Sequence, residues 1–241
     1  MALNKKQLPL CITAQNIKKM EKYTTDFLSL HHCDCMELMK QYPDKYFDLA
    51  LVDPPYGIGA SSIKFINRTS KTVKPYYKEN CWDTVRPTEE YFNELKRVSK
   101  NQIIWGGNYF ADYLGAFRCF ICWDKTIHGN SYADCELAWT SFDKVARYYR
   151  KNIAQVNSEG RIHPTQKPIT LYDFVLKEFA EKGNLILDTH FGSGSIALAV
   201  HKANQLDKMN LHLTACEIDL DYVNASIKRI SNYLQQTTLN F

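Results

Sequence analysis

Short apolar runs alternate with amphipathic stretches along most of this chain, at spacings that read as strands and helices in turn. Phe47-Asp48-Leu49-Ala50-Leu51-Val52 has strand length and predicts a buried strand, as do Leu185-Ile186-Leu187-Asp188 and Leu211-His212-Leu213-Thr214-Ala215-Cys216. Further strands are expected at 29–32, 102–105, 118–123 and 136–141. Helical periodicity predicts an amphipathic helix at about 14–28 and a short one at 36–41. It also predicts helices at 88–98, with Thr88 as candidate N-cap, and at 168–180, 196–203 and 222–234. Such alternation predicts an α/β fold, a doubly wound and mostly parallel sheet. With 241 residues, 45% of them hydrophobic, the chain can bury one substantial core and is expected to form a single domain over 1–241.

Directly after the first of these strands stands Asp53-Pro54-Pro55-Tyr56. Proline lacks the N–H that a central strand needs, so the chain must leave the sheet there in an extended, rigid form. That puts a carboxylate, backbone carbonyls and an aromatic face at the carboxyl end of a strand, where open α/β sheets bind ligands. A planar ring bearing an amino group suits such a pocket, stacked on Tyr56 with its N–H groups on Asp53 and the Pro54 carbonyl.

The second informative stretch runs from the strand ending at Asp188 through Phe191-Gly192-Ser193-Gly194-Ser195 into a helix, then through a strand to Glu217. Strand, glycine turn, helix, strand and acid make one nucleotide-binding βαβ unit. The glycines admit close backbone approach, and Glu217 stands where a carboxylate can accept both ribose hydroxyls. Gly192, Gly194 and Ala197 also fit the relaxed dinucleotide fingerprint, so a nicotinamide-dependent oxidoreductase is an alternative of a different class. Only one helical pattern follows Glu217, and upstream lies Asp53-Pro54-Pro55-Tyr56 rather than a second mononucleotide half. A cofactor with one nucleoside and a charged amino-acid tail, S-adenosylmethionine, fits better.

At these residues the chain resembles the nucleic-acid amino-methyltransferases, in the permuted class whose catalytic motif precedes the cofactor motif. Asp53 to Gly57 looks like the catalytic motif, Asp188 to Ser195 like the glycine loop, and His163-Pro164-Thr165-Gln166-Lys167-Pro168 like the segment before it. Cys33-Asp34-Cys35-Met36-Glu37-Leu38 resembles the acidic motif ahead of the catalytic strand, and Trp123-Asp124-Lys125 and Glu136 to Thr140 resemble later strands. The resemblance implies a Rossmann-like sheet of the S-adenosylmethionine-dependent methyltransferase type. Its catalytic residues would be Asp53, Pro54, Pro55 and Tyr56. Cofactor contacts would come from Asp34, Cys35, Thr165, Gln166, Lys167, Asp188, Phe191, Gly192, Ser193, Gly194, Ser195 and Glu217. Asp at the first motif position implies adenine N6 as acceptor, with cytosine N4 as the alternative. Asp188-Thr189-His190 departs from the family's usual Asp-Pro-Phe. The interval from Phe142 to Ile162 is expected to be a loop, too short for a target-recognition domain.

A formal charge of +4 says little about partners, but its distribution says more. Lys64, Arg68, Lys71, Lys74 and Lys78 follow the catalytic motif, and Lys144, Arg147, Arg150 and Lys151 precede His163. Both runs flank the pocket in sequence, so the loops 58–80 and 143–162 are candidates for contacting DNA phosphates. A second copy of the chain could assist, and a restriction endonuclease partner stays open. The eight cysteines show no disulfide framework or zinc spacing, and no secretory segment or apolar run of membrane length is present. A reducing cytoplasm is the expected compartment, and no metal is expected.

Overall fold

The computed structural model describes residues 22–59, 83–126, 133–152, 162–163 and 165–238. In chain order its elements are β1 (Lys22–Thr24), β2 (Leu28–His32), α1 (Cys35–Met39), β3 (Phe47–Val52), α2 (Glu89–Val98) and β4 (Ser99–Trp105). A 3-10 turn (Gly107–Tyr109), α3 (Ala111–Leu114), β5 (Phe120–Asp124), β6 (Cys135–Thr140) and β7 (Arg147–Arg150) follow. The last stretch holds α4 (Ile169–Phe179), β8 (Leu185–Asp188), α5 (Ser195–Leu206), β9 (His212–Glu217) and α6 (Leu220–Thr238).

All nine strands form one sheet in the order β1-β2-β9-β8-β3-β4-β6-β5-β7. The run from β2 to β4 is parallel throughout, while β1 and β6 pair antiparallel with their neighbours. Successive side chains of a strand face opposite sides, and β3 shows what that requires of its sequence. Leu49 and Leu51 join an apolar layer with α4 and α5, whereas Ala50 and Val52 join another with α1 and α2. A strand covered by helices on both faces must be apolar where it is covered, hence the run Leu49-Ala50-Leu51-Val52 after the partly exposed Asp48. Helix α2 carries Glu89 and Glu90 in its first turn and Lys96 and Arg97 in its last, matching the helix dipole. Thr88 takes the extended N-cap conformation, but its side chain makes no capping bond.

The chain winds in opposite directions from two adjacent strands. From β3 it passes through α2 to β4 on one side, and from β8 through α5 to β9 on the other. The cleft between the carboxyl ends of β3 and β8 is therefore the topological switch point of the sheet, the usual ligand crevice of such folds.

Two expectations need correction. The helix read at 14–28 fails in its described part: Lys22–Thr24 is a strand paired antiparallel with Ser29–His31, and β2 begins at Leu28. Tyr23 and Thr24 suit an extended edge, and the Thr25 hydroxyl turns the chain by accepting the Leu28 N–H; residues 14–21 lie outside the described residues. The interval 142–162 is not all loop, because Arg147–Arg150 extends the sheet in parallel with β5.

Phe92 is fully buried and packs against Tyr91, Phe110 and Tyr113 at the base of the α2 layer. Phe92→Ala is expected to lower unfolding free energy by about 3–5 kcal/mol in urea titration, the usual cost of emptying an aromatic core position.

Candidate active site

The carboxyl edge of the sheet collects acids from neighbouring strands. Asp53 follows β3, Asp188 ends β8, Glu217 ends β9, and Asp34 lies two residues past β2. Because β6 runs antiparallel, its first residues, with Glu136, reach the same edge, together with Lys125 just past β5.

The chain leaves β3 at Asp53 and is held in its new course by Asp83, whose side-chain oxygen accepts the N–H groups of Tyr56 at 2.6 Å and Gly57 at 2.9 Å. Tyr56 turns back over the sheet end. Its hydroxyl donates to Asp53 Oδ1 at 2.7 Å, and its ring stacks on Tyr109 with centroids 4.9 Å apart. Gly106, with φ +70°, lies directly against that ring: a Cβ there would sit 2.2 Å from a ring carbon, so only glycine fits. The sequence reading offered Tyr56 as an open stacking face; in the structure Tyr109 already stacks on it.

The second Asp53 oxygen carries Lys167. Its ammonium lies 2.5 Å from Asp53 Oδ2, 3.3 Å from the Tyr56 hydroxyl and 3.1 Å from Glu136 Oε2, and the other Glu136 oxygen lies 2.5 Å from the Lys125 ammonium. These four groups form a chain of alternating sign walled by the indoles of Trp105 and Trp123. Burial pushes the Asp53 carboxyl above its ordinary range, while Lys167 pulls it down. Burial would also raise Glu136, but Lys167 and Lys125 outweigh it and bring its pKa down to about 2. Lys167, expected at a cofactor carboxylate, is thus engaged with Asp53.

Beside it lies the glycine turn. Gly192 and Gly194 take positive φ, and the Gly192 N–H donates to Glu217 Oε2 at 2.9 Å. Phe191 donates its N–H to the Cys216 carbonyl, and Arg229 from α6 donates to the Ser193 carbonyl and the Ser195 hydroxyl at 2.9 Å each. His163 approaches Gly192 on one side and Tyr222 on another, and its Nδ1 lies within hydrogen-bonding range of Thr165. Gln166 is buried and accepts the Ile162 N–H. Burial raises Glu217 and brings Asp188 up to about 8, although Asp188 Oδ1 accepts the His190 N–H.

Asp34 caps α1, accepting the N–H of Met36 at 2.8 Å. Cys35 and Met36 then help line a hollow of about 240 Å³ with Pro55, Tyr91 and His190. Where the resembled family has Pro-Phe, Thr189 and His190 form a hydrogen-bonded run with the Tyr91 hydroxyl, at 2.7 Å and 2.9 Å, and burial lowers His190 to about 4.

The basic run before His163, which flanks the pocket in sequence, divides between the two edges of the sheet. Strand β7 runs parallel to β5 at the end of the sheet, so Arg150 and Lys151 end on the carboxyl edge, where Lys151 donates to Thr170 at the start of α4. Arg147 and Lys144 lie toward the opposite edge and bind Glu178 near the end of α4. Lys64, Arg68, Lys71, Lys74 and Lys78 lie outside the described residues.

Sequence reasoning missed Asp83, Gly106, Glu136, Lys125 and Arg229. A faint signal existed for Glu136, a charge opening the otherwise apolar run Leu137-Ala138-Trp139. For Asp83 there was none, since its partners lie 26 and 27 residues upstream.

A family model described as DNA methylase matches residues 99–228. The chain is 26% identical over 188 residues to YubD of Escherichia coli (strain K12), a protein named as a methylase, covering 69% of this chain and 76% of that one. It is 22% identical over 216 residues to the type II methyltransferase M2.MboI of Moraxella bovis, covering 71% and 78%. Among solved structures, the complex of M1.HpyAVI with SAM superposes with a TM-score of 0.55 at 17% identity, over 84% of this chain and 98% of that one. The PvuII DNA methyltransferase, cytosine-N4-specific, gives a TM-score of 0.57 at 16% identity, over 89% and 90%.

The raised Asp188 makes the pH dependence of stability readable. Its folded pKa of about 8 lies above the ordinary 3.8, so the native state holds a proton that the unfolded chain has released. Stability must then fall as pH rises through this interval. Between about pH 5 and 7 the slope should approach about 1.4 kcal/mol per pH unit and then fade as pH rises through about 8, and Asp188→Asn should flatten it in urea titrations.

Proposed function

The chain belongs to the DNA methylase family, and from that membership we propose that it transfers a methyl group from S-adenosylmethionine to the N6 amine of adenine in DNA. The observation that carries this reading is the placement of Asp53 and the glycine turn on the two sides of one switch-point cleft.

The residues at β8 and β9 fit the cofactor. Glycines at 192 and 194 place no side chain at these two positions of the turn, Glu217 offers carboxylate acceptors beside it, and the neighbouring hollow by Pro55 and Met36 is largely apolar. Glu217 would hold the ribose, the turn would pass beneath the amino-acid portion, and Asp34, Cys35 and Met36 would flank the nucleobase. When bound, S-adenosylmethionine supplies an electrophilic sulfonium methyl.

An exocyclic amine is a poor nucleophile because its lone pair is delocalised into the ring. Asp53 and the Pro54 carbonyl are suited to accept its two N–H groups, which localises that lone pair and aims it. Such positioning is worth several kcal/mol. The Asp53 carboxylate also stabilises positive charge growing on nitrogen and takes the proton released after transfer. The Tyr56 hydroxyl now occupies Asp53 Oδ1, so the amine takes over that acceptor as it arrives. A base inside a duplex cannot reach the cleft, so the target nucleotide is flipped out or unpaired. Arg150 and Lys151, on the same rim, are suited to backbone phosphates, and the 64–78 run carries further candidates. Asp rather than Ser at position 53 favours adenine over cytosine N4. A second copy of the chain supplying further DNA contacts belongs to this proposal. Among the described residues no helix is long and apolar enough to cross a membrane.

Asp53→Ala should abolish methyl transfer while cofactor titrates as in the wild type; near-normal turnover would remove the catalytic assignment. Glu217→Ala should instead weaken cofactor binding about tenfold or more, read by calorimetry. Nucleoside mass spectrometry of methylated DNA should give N6-methyladenine as the main product, and N4-methylcytosine would reverse the choice of base.

A further inference from the structure

The buried Lys167–Glu136–Lys125 run has no place in the reaction as derived so far, and its cost asks for a reason. Lys167 has a side chain only 2% exposed, and its ammonium sits between two carboxylates rather than in solvent. Segments far apart in the chain converge to build this: the loop after β3, the segment before α4, the start of β6 and the residue past β5. Buried ions are retained when each has a close partner of opposite sign. Here every member has one, at 2.5 Å for Asp53–Lys167, 3.1 Å for Lys167–Glu136 and 2.5 Å for Glu136–Lys125.

We propose that Lys167, held in place by Glu136 and Lys125, is a positioning residue that keeps the Asp53 carboxylate ionised and turned with Oδ1 toward the target amine. The inference rests on the reading of Asp53 as the amine acceptor.

The geometry gives the two oxygens of Asp53 different work. Oδ2 is committed to an ammonium that has nowhere else to go, because Glu136 and the Trp105 indole fix it from behind. Oδ1 bears only the Tyr56 hydroxyl, a neutral donor that a neutral amine N–H can replace. Asp53 is a strong acceptor for the amine N–H, and can take up the released proton, only while ionised, and its neighbours pull in opposite directions. Lys167 favours the ionised form, and Glu136 opposes it. Tyr56 donates a hydrogen bond that favours it, while Asp188 on β8 and Tyr172 on α4 face the same cleft from neighbouring elements. Lys125 acts at one remove by neutralising Glu136. Removing Lys167 would leave Asp53 and Glu136 as buried like charges, and one would take up a proton.

The test compares kcat at about pH 5.5 and about pH 8 in Lys167→Met, Lys167→Arg and Glu136→Gln, with Asp53→Ala as reference. The ratio of the low-pH to the high-pH rate should fall about tenfold or more in Lys167→Met, since each unit of upward shift in Asp53 costs a factor of ten below its pKa. Lys167→Arg, which keeps the charge, should restore the ratio. Glu136→Gln should leave it at the wild-type value or raise it, because a neighbouring negative charge is gone. A purely structural role would lower both rates together in Lys167→Met and leave the ratio unchanged; that result overturns the proposal, as does a ratio that falls equally in Glu136→Gln. If Lys167→Met does not fold, Lys125→Met takes its place, because it returns the full Glu136 charge to the Lys167–Asp53 pair: the ratio should fall, and an unchanged ratio overturns the proposal. An active Asp53→Ala would instead sink the underlying reading of the site.

Discussion

Parallel pairing of β3 with β8, Leu49 opposite Ile186 and Ala50 opposite Leu187, sets the position of nearly everything else at the site. Parallel strands need crossovers, and here the crossovers leave toward opposite sides of the sheet. A gap opens above the paired strand ends, where the helices α2 and α5 lead away to opposite sides. Asp53 and Asp188, the residues that leave these two strands, border the gap without any long-range device to bring them there.

That arrangement creates an electrostatic problem. Asp53, Asp188, Glu217 and Glu136 share one rim, and burial alone disfavours the ionised form of each. The solutions differ by residue. Glu217 receives backbone N–H groups from Gly192 and Asp219, Asp188 receives one from His190, and Asp53 and Glu136 receive lysines. Full countercharge thus goes to Asp53 and Glu136, and backbone dipoles to the two acids beside the glycine turn.

Much of this was legible in the sequence, for identifiable reasons. Phe47–Val52 and Leu185–Asp188 read correctly to the residue because strands buried on both faces are almost wholly apolar, with Asp48 the one charge inside the first. The two motifs were legible because proline fixes the backbone locally and glycine admits conformations that other residues avoid. Strand β7 was hidden because Arg147-Tyr148-Tyr149-Arg150 is an edge strand with charged ends, which resembles a loop in composition. The strand at Lys22–Thr24 was hidden behind a helical periodicity that continued from residues upstream. Asp83, Lys125 and Glu136 acquire their roles only through contacts with residues distant in sequence, and no local pattern records such a partner.

The two halves of the cleft also differ in how far apart their parts lie along the chain. Gly192 and Glu217 are 25 residues apart, and Arg229 reaches Ser193 across 36. Lys167 meets Asp53 across 114. Loop closure over the longer separation costs more entropy, and contacts of high sequence separation form late in folding. The glycine turn with its acid can therefore assemble as a local unit while Asp53 is still hydrated and uncommitted. With the roles proposed for Glu217 and Asp53, a chain caught at that stage would hold ligand without turning it over.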